Sequence, residues 1–592
     1  MEDNLEYPLN INYILRKKKL LKRKLLNKGD FIPKNIAILG GSSTSEIINI
    51  LEIFLLKNGI KPSFYESEYN KFYEEAVFNI DNLAKFNPDI VYIHTTNKNI
   101  LIYPNLKDTE NDVKILLENE LEKYKLVWNS LLKLNCSIIQ NNFDNIVDRS
   151  LGNLDFSDIH GQTFFINQLN NAFSENARVI ENLYINDINY LSSYLGLKNW
   201  FDRVLWYQAK YALSMSAIPE LVFNITKIIN SIFGQTKKCL VLDLDNTCWG
   251  GVIGDDGLDK IVIGKNSALA EAFTSFQIYV NELKKRGIAI AVSSKNDIDN
   301  AKEGFRHPET VLEFSDFVAF KANWDEKYLN ILDIASELNI GVDSIVFIDD
   351  NPMERDIVSS QIHKITVPNI GEKIEKFIDY IDKNGYFEPT NLIDEDIHRN
   401  KYYQDNNQRV LEKANFHSYD DFLLSLNMSA SIKTFSTLHV DRIIQLTNKT
   451  NQFNLTSKKY TFGEIKSLCL NKDYIKIYGK LFDKYGDNGV VSLIIGRIQT
   501  SVCHIDLWLM SCRVFKRGME FAMLDEFVNQ CRGQKVVEIR GYYFKTSKNK
   551  MVSKLYEKCG FKLIELSDGK SSWALKIKNY KNINKTIRLD YE

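Results

Sequence analysis

Closely paired cysteines, proline-rich stretches and long apolar runs are all missing from this sequence. Its eight cysteines contain no C-x-x-C pair, which argues against a disulfide scaffold or a zinc knuckle and favours reduced thiols in a cytoplasm. Ten prolines among 592 residues, with 44% hydrophobic residues, exclude a disordered or collagen-like chain. No apolar run reaches the roughly 18 residues of a membrane span, and the N-terminus lacks the apolar core of a signal peptide. We therefore expect a soluble, unexported, folded protein.

An excess of one charge sign is also missing. Lys and Arg number 75 against 76 Asp and Glu, and this balance argues against a surface built for nucleic acid. The basic stretch 15–28 has leucines at helical spacing. It permits a helix on a membrane surface but favours a solvated helix that packs on the next domain. Small molecules or a protein partner are the expected ligands.

The chain is too long for one hydrophobic core. Alternating buried strands and helices predict an α/β multidomain protein with parallel sheets, followed by a mixed α+β region. We expect a basic N-terminal helix (1–30), a first α/β domain (31–232), a second α/β domain (233–392) and an α+β domain (393–592).

Acidic and hydroxyl side chains follow the predicted strands of the second α/β domain. Because the carboxyl ends of parallel strands share one edge of a sheet, we expect these side chains to converge. So many carboxylates repel each other unless a divalent cation lies among them, and oxygen ligands suit Mg²⁺. A hydroxyl and an ammonium opposite favour a phosphoryl group as the ligand. The residues are Asp243, Asp245, Thr247, Ser293, Ser294, Lys327, Asp349 and Asp350.

The order of a D-x-D-x-T segment, a serine, a lysine and an Asp-Asp pair resembles the haloacid dehalogenase (HAD) phosphotransferases. The resemblance implies that Asp243 is a nucleophile that forms an aspartyl-phosphate. It also implies that Asp245 protonates the leaving oxygen and then activates water, which favours hydrolysis. The segments between these motifs are too short for a cap domain, so a Rossmann-like HAD domain without a cap is expected.

The same resemblance assigns ligands. Mg²⁺ is expected at Asp243, Asp245, Asp349 and Asp350, with Asp245 contributing its carbonyl. The phosphoryl oxygens are expected at Lys327 and at one of the two adjacent serines, of which Ser294 matches the family pattern better than Ser293.

Longer strings resemble the FkbH-like proteins of polyketide and surface-glycan pathways. They are DLDNTCWGGVIGDDG (243–257), NWDEK (323–327), FIDDNPMERD (347–356), TNQFNLT (450–456) and SCRVFKRGME (511–520). The resemblance implies a glyceryltransferase/phosphatase that takes 1,3-bisphosphoglycerate, removes its phosphates and loads a glyceryl thioester onto an acyl carrier protein. The implied partners are the carrier protein and a small phosphorylated three-carbon substrate, without nucleic acid.

The last domain resembles a GNAT acyltransferase in a strand, the turn RVFKRG (513–518) and the helix after it. The resemblance implies that this turn binds the phosphate of carrier-bound phosphopantetheine, or CoA, at a helix N-terminus. Lys516 stands at a glycine position of the family pattern, which favours the single phosphate of phosphopantetheine over the diphosphate of CoA. The implied contacts are Arg513, Lys516, Arg517, Gly518, Asn549 and Tyr556.

Cys512 ends the strand before this turn, where a pantetheine thiol is expected to arrive. It is the candidate acyl-carrying nucleophile, because Arg513, Lys516 and the helix N-terminus favour its thiolate. An inert, packed cysteine is the alternative.

The first α/β domain resembles an SGNH hydrolase or flavodoxin-like fold at LGGSSTSE (39–46), which nominates Ser42 or Ser43. No aspartate precedes the serine, and Leu205 stands three places after Asp202 where a histidine is required. We interpret the serines as a helix cap and the domain as a non-hydrolytic docking unit. His94 and His160 remain candidate pocket groups.

Two other functions fit the sequence. One is a HAD phosphatase fused to a separate GNAT acyltransferase in surface-polysaccharide or other secondary biosynthesis. The other is a non-catalytic assembly module, which the intact acidic set argues against.

Overall fold

A computed structural model of the protein describes residues 2–29, 31–392, 397–413, 415–436, 439–546, 548–567 and 569–590. The chain forms two structural units. The first is Met1–Ile232 with Thr461–Glu464, and the second is Phe233–Tyr460 with Ile465–Glu592. The first unit ends at residue 232 apart from the short segment 461–464, and the domain boundaries given above stay predictions. In the described ranges, no helix combines the length and the apolar character that crossing a membrane requires.

The first unit has a five-stranded, fully parallel sheet in the order β2-β1-β3-β4-β5. Helices cover both faces, and β3 and β4 are buried along their whole length. The strands are β1 (Ile32–Gly40), β2 (Ile60–Glu66), β3 (Ile90–His94), β4 (Ser137–Asn141) and β5 (Leu183–Asn186). The helices are α1 (Ile11–Leu26), α2 (Ser45–Lys57), α3 (Phe72–Val77), α4 (Ile80–Phe86), α5 (Glu110–Leu132), α6 (Gln162–Val179), α7 (Ile188–Leu195), α8 (Leu197–Trp200), α9 (Arg203–Ala209) and α10 (Ile218–Ile232).

The basic helix α1 packs on α2. Its apolar residues Ile14, Leu21 and Leu25 are between 0% and 3% exposed, and Lys22 forms an ion pair with Glu52 on α2 at 2.6 Å. The apolar face that a membrane surface would have to meet is therefore buried within the unit.

The second unit contains a four-stranded parallel sheet in the order β8-β7-β6-β9. Three of its strands, β6, β7 and β9, are short and buried along their whole length, which is typical of a parallel sheet covered on both faces. The strands are β6 (Cys239–Leu242), β7 (Ala289–Ser294), β8 (Ala319–Ala322) and β9 (Ile345–Ile348). The helices are α11 (Ile253–Asp256), α12 (Ala268–Lys285), α13 (Ile298–Gly304), α14 (Lys327–Glu337), α15 (Pro352–Gln361) and α16 (Phe377–Asn384). The multidomain α/β fold is confirmed, and no cap domain interrupts residues 247–327.

The rest of the second unit is built on an eight-stranded mixed sheet in the order β15-β16-β14-β13-β12-β11-β10-β17. Its strands are β10 (Ser429–Thr434), β11 (Tyr474–Asp483), β12 (Gly486–Gln499), β13 (Val502–Met510), β14 (Glu538–Phe544), β15 (Lys562–Ser567), β16 (Lys570–Lys576) and β17 (Arg588–Asp590). Its helices are α17 (Arg399–Lys413), α18 (Tyr419–Ser425), α19 (Val440–Lys449), α20 (Phe462–Leu470), α21 (Met519–Gly533) and α22 (Leu555–Lys558). The first three residues of α20 are counted with the first unit.

The parallel strands β13 and β14 pair only at their first residues and then diverge. Val502–His504 pairs with Glu538–Arg540, and beyond that point residues 453–455 lie between the strands. The Leu455 N–H donates to the Trp508 carbonyl (3.1 Å), and the Phe544 N–H donates to the Leu455 carbonyl (2.9 Å). A segment distant in sequence thus fills the gap and completes the sheet.

Candidate active site

The carboxyl ends of β6 and β9 bring three carboxylates together. Asp243 follows β6, and Asp349 and Asp350 follow β9, which is hydrogen-bonded to β6 along its length. One carboxylate oxygen from each lies within 4.8 Å of the other two. Asp243 and Asp349 are buried, whereas Asp350 is half-buried. This is the convergence expected from a parallel sheet with acids after adjacent strands.

The ammonium of Lys327 lies between two of these acids. Its Nζ is 2.6 Å from an Asp349 oxygen and 3.1 Å from an Asp243 oxygen, and the residue is 3% exposed. Burial alone would lower the pKa of Lys327, but the two carboxylates outweigh burial and raise it. The lysine is therefore charged and forms a fixed part of the site.

One ammonium does not balance three carboxylates. Burial, together with the charge of Asp243, raises the pKa of Asp349 to about 7 against the opposing effect of Lys327. Burial and Asp243 also raise the pKa of Asp350. A divalent cation would remove this repulsion, and hard oxygen ligands at this spacing suit Mg²⁺. The donor set therefore fits the predicted metal.

Asp245 is held apart from the carboxylate cluster by three donors. Its Oδ1 accepts from the Trp249 indole (3.0 Å) and the Ile253 N–H (3.1 Å), and its Oδ2 accepts from the Asn296 amide (2.9 Å). Burial raises the pKa of Asp245 in spite of these bonds, and Asp243 adds to the rise. A carboxyl group with a raised pKa beside a nucleophile candidate suits acid-base chemistry.

The two serines at the end of β7 differ in their contacts. The Ser293 hydroxyl donates to the Lys327 carbonyl (3.5 Å) at the start of α14, which gives this residue a structural contact. Ser294 is 1% exposed, and its hydroxyl forms no hydrogen bond with any residue that the structure describes. This difference favours Ser294 as the serine available to a ligand.

The structure also reveals residues that the sequence reasoning missed. The buried Arg355 donates to the carbonyls of Asp349 and Asp350, both at 2.7 Å, and so fixes the backbone of the Asp-Asp pair. Asn296 orients Asp245 as described above. Both residues lie within or beside the recognised motifs. Their position, two to six residues from a predicted ligand, was the signal in the sequence that could have identified them.

Cys248 lies in the same loop but is fully buried, and its thiol donates to the Asp243 carbonyl (3.3 Å). Burial raises the pKa of Cys248 well above its usual value, and the nearby acids add to the rise. It is therefore a protonated, packed thiol.

The side chains of the turn after β13 differ in their exposure to solvent. Cys512 is half-buried, and the Arg513 guanidinium stacks over the Tyr402 ring at 4.5 Å. Lys516 is exposed and has a left-handed backbone with φ of 64°. Arg517 turns inward and is 5% exposed.

The inward residues of this region contact protein groups. Arg517 pairs with Asp483 (3.0 Å) and donates to the Arg513 carbonyl (2.8 Å). The Asn549 amide donates to the carbonyls of Asn454 and Phe544, both at 2.9 Å, and its oxygen accepts from the Thr546 N–H (2.8 Å).

The two remaining residues that the sequence predicts as phosphopantetheine contacts are Tyr556 and Gly518. Tyr556 is 1% exposed and packs against Trp508 and Phe561. Gly518 has φ of 80° and is the N-cap of α21. Arg517, Asn549 and Tyr556 therefore support the fold, and the structure does not bring them to a surface that a pantetheine arm would contact.

Three candidate groups of the first unit, Ser43, Asp202 and His94, form hydrogen bonds within that unit. Ser43 donates to the Ala209 carbonyl (2.6 Å), and Asp202 caps α9 through the Leu205 N–H (3.0 Å). His94 is buried beside Tyr92 and Asn141, and burial lowers its pKa to about 3. Thr44, not a serine, is the N-cap of α2, and it forms no side-chain cap bond.

His160 is likewise held by backbone and carboxylate groups. Its Nδ1 lies 2.6 Å from Asp158, and its Nε2 lies 2.9 Å from the Asp108 carbonyl. These contacts account for both ring nitrogens, so the residue has a structural role in the first unit.

Comparisons with known proteins found matches to both units of the chain. The family model described as FkbH, N-terminal domain, matches residues 35–230. The N-terminal part of the protein BF1531 from Bacteroides fragilis, which contains a phosphatase domain and is complexed with Mg, is 31% identical. The match covers 63% of this chain and 99% of that chain, with a TM-score of 0.59. Among curated proteins, no sequence matches the chain.

Two acetyltransferase structures match a quarter of the chain. The ribosomal-protein-S18-alanine N-acetyltransferase from Escherichia coli is 13% identical over 25% of this chain and 94% of that chain, with a TM-score of 0.20. The PaiA N-acetyltransferase from Thermoplasma acidophilum, in complex with coenzyme A, is 15% identical over 25% of this chain and 99% of that chain, with a TM-score of 0.21.

Magnesium should stabilise the protein through the carboxylate cluster. At a hundred times its Kd, a ligand that binds only the folded state adds about 2.7 kcal/mol to the free energy of unfolding. We expect Mg²⁺ to raise the melting temperature of the wild type and to raise that of Asp350→Asn much less. Asp356→Asn, a change of an exposed acid on α15, is the matched control. An equal rise in Asp350→Asn would place the ion elsewhere.

Proposed function

The chain belongs to the FkbH-like family, and from that premise we propose that it is a Mg²⁺-dependent phosphatase and acyltransferase. The proposed substrate is 1,3-bisphosphoglycerate or a similar three-carbon acyl phosphate. The proposed product is an acyl thioester on an acyl carrier protein. The observation that carries the proposal is the convergence of Asp243, Asp349 and Asp350 around the buried ammonium of Lys327.

The phosphate ester is cleaved by transfer to Asp243. A carboxylate oxygen of Asp243 forms a bond with phosphorus while the bond from phosphorus to the ester oxygen breaks. Asp245 gives its proton to the leaving alkoxide and then takes a proton from water. The water oxygen attacks the phosphoaspartate, which releases inorganic phosphate and restores Asp243. Lys327 and the Ser294 hydroxyl bind the phosphoryl oxygens during both steps.

Asp243, Asp349 and Asp350, with the Asp245 carbonyl, would hold Mg²⁺, which supplies positive charge to a phosphoryl group approaching these acids. The surrounding chain fixes the acids for this role. The Asn351 N–H donates to Asp349 (2.9 Å), and Arg355 holds the backbone carbonyls of both Asp349 and Asp350. Such supporting contacts orient the ligands of a metal site.

The two phosphates of the proposed donor require different chemistry. An ester oxygen leaves as an alkoxide and needs the proton of Asp245, so the ester phosphate is assigned to the acidic site. Hydrolysis of the acyl phosphate would yield a carboxylate with no energy left for a thioester. The acyl phosphate is therefore assigned to Cys512, whose thiolate forms a bond with the carbonyl carbon while phosphate leaves. The thiolate of the carrier then displaces Cys512.

A second candidate is a phosphatase fused to an acyltransferase that works independently. Cys512 lies near the amino ends of the four-stranded sheet, where it packs against the core that contains Cys239 and Ala289, the first residues of β6 and β7. The acidic site lies at the carboxyl ends, so one small substrate cannot contact both places at once. A non-catalytic module has no such support, because it would not require a buried lysine among three acids.

Asp243→Asn should abolish phosphate release, because an amide does not attack phosphorus and the site loses a ligand. The measurement is inorganic phosphate released from a phosphate ester with Mg²⁺ present, with circular dichroism to check the fold. Asp255→Asn, which changes an exposed acid on α11, should retain activity. Wild-type turnover in Asp243→Asn would refute the HAD-type mechanism.

Asp245→Asn should slow the release of phosphate by roughly 10²–10⁴ through the loss of acid-base catalysis. The melting-temperature rise caused by Mg²⁺ should remain, because the backbone carbonyl of residue 245 is retained. If the substitution weakened only the response to Mg²⁺ and left the turnover at saturating Mg²⁺ unchanged, Asp245 would not be the acid.

The wild-type chain should gain a covalent acyl mass when it is incubated with the donor and Mg²⁺ in the absence of a carrier. Hydroxylamine should remove this mass, as it removes a thioester. Cys512→Ala should gain no mass, whereas Cys469→Ala, the change of another half-buried cysteine, should behave as the wild type.

The same mass measurement tests the alternatives. An adduct that persists in Cys512→Ala would assign the nucleophile to another cysteine. Carrier loading without an adduct in any variant would mean that the thiol of the carrier attacks the donor directly and that Cys512 is a packing residue.

A further inference from the structure

A cavity of about 300 Å³ lies at the amino ends of the four-stranded sheet. Lys238 directly precedes β6, Ser344 directly precedes β9, and both line the cavity. Its other wall comes from α17, α19 and the turn after β13, including Cys512. We call it the basic cavity. It is a separate site from the carboxylate cluster, which follows the opposite ends of the same strands.

The lining of the basic cavity carries a large excess of positive charge. Eight lysine and arginine side chains contribute to it, and Asp343 is its one carboxylate among the residues that the structure describes. Asp343 is already paired with Lys548. The excess is local, because the whole chain has a net charge of only −1.

Three of these cations have no ion-pair partner in the described ranges. Lys238 donates to a backbone carbonyl, that of Lys449, at 3.3 Å. Arg513 stacks on an aromatic ring, and its buried Nη1 has no hydrogen-bond partner. Among the residues that the structure describes, no carboxylate lies within ion-pair distance of the Lys449 ammonium. The cavity thus presents donors that protein groups leave unsatisfied.

Gathering these cations opposes folding. Burial lowers the pKa of Lys449 well below its usual value, and the neighbouring Arg399 and Arg442 lower it further. Burial likewise lowers the pKa of Lys238. Apolar side chains of similar size would be less costly at these positions. Titratable side chains in a cleft whose pKa values are shifted in this way are typical of functional sites.

We propose that the basic cavity binds the phosphate group of a small ligand beside Cys512. A phosphate brings about two negative charges in a compact volume, whereas a carboxylate brings one. Planar guanidinium groups such as those of Arg399 and Arg513 match pairs of phosphate oxygens. The cavity is at the lower limit of the range of ~300–1,000 Å³ for small-molecule sites, which suits a phosphorylated acid of a few carbons better than a nucleotide.

The phosphate has two conceivable sources near a thiol. One is a small phosphorylated donor, and the other is the phosphopantetheine arm of a carrier protein. The choice between these sources rests on the proposed function, whereas the phosphate site itself does not. The two sources share the recognised group, so a test must vary the organic part and the phosphate separately.

Protection of Cys512 from alkylation tests the proposal directly. The full chain is treated with iodoacetamide in EDTA, because without a divalent cation the carboxylate cluster repels anions. The probes are 3-phosphoglycerate and glycerate as one pair, and 4′-phosphopantothenate and pantothenate as the other. Peptide mass spectrometry follows Cys512, and the half-buried Cys469 serves as an internal control.

At least one phosphorylated probe should slow the alkylation of Cys512 by about tenfold when it is present at ten times its Kd, because the unbound fraction falls with 1 + [L]/Kd. Its unphosphorylated counterpart should have no effect, and Cys469 should react equally in all samples. Protection by 3-phosphoglycerate identifies the small donor as the source, and protection by 4′-phosphopantothenate identifies the carrier arm.

Lys449→Met is the matching variant, and Lys472→Met, the change of an exposed lysine that does not line the cavity, is its control. Lys449→Met should lose the protection and should melt at the same temperature as the wild type or higher, because a repelling charge is gone. The rise in melting temperature with the same probes in EDTA is a second readout, for use if Cys512 reacts too slowly.

Absence of both protection and stabilisation by every phosphorylated probe would overturn the proposal. Equal protection by phosphorylated and unphosphorylated probes, or full protection in Lys449→Met, would overturn it as well. None of these readouts depends on turnover. A chain that releases no phosphate from an ester but protects Cys512 would therefore disprove the phosphatase and retain the basic cavity.

Discussion

A single buried ammonium offsets part of the repulsion between the carboxylates at the acidic edge of the four-stranded sheet. Two like charges 4 Å apart near a protein surface repel by about 4 kcal/mol, and the ends of β6 and β9 bring three acids to about this spacing. Lys327 contacts two of them and is the first residue of α14, so the start of that helix fixes the charge. The Ser293 hydroxyl donates a hydrogen bond to the backbone carbonyl of Lys327. Helix, strand ends and charge balance thus form one interdependent set.

The arrangement of the acidic edge could be predicted from the sequence because it follows from topology. Acids placed directly after buried parallel strands must meet at one edge, whatever the details of packing. The hydrogen bonds from Asn296 to Asp245 and from Arg355 to the Asp-Asp backbone could not be predicted. They depend on rotamers and distances between elements, which spacing along the chain does not determine.

The turn after β13 shows where reasoning from motifs fails. Residues 512, 513 and 517 lie within six positions, yet Cys512 and Arg513 line the basic cavity and Arg517 pairs with Asp483 inside the domain. A linear motif gives the position of a residue but not the direction of its side chain. The pairing of residues 453–455 with the diverging strands was equally hidden, because it joins segments some 50 to 90 positions apart.

The location of the basic cavity at the amino ends of β6 and β9 has a consequence for the order of events. Four strand residues span roughly 13 Å, so in the proposed reaction an acyl group attached to Cys512 would lie at the opposite end of the strands from Asp243. If the acyl product were released, it would have to diffuse through bulk water to reach the acidic site. It would be diluted there and could bind to other proteins. The carrier protein of the proposed function would avoid this loss, because its long flexible arm would collect the acyl group at one edge and present the remaining phosphate ester at the other without releasing it.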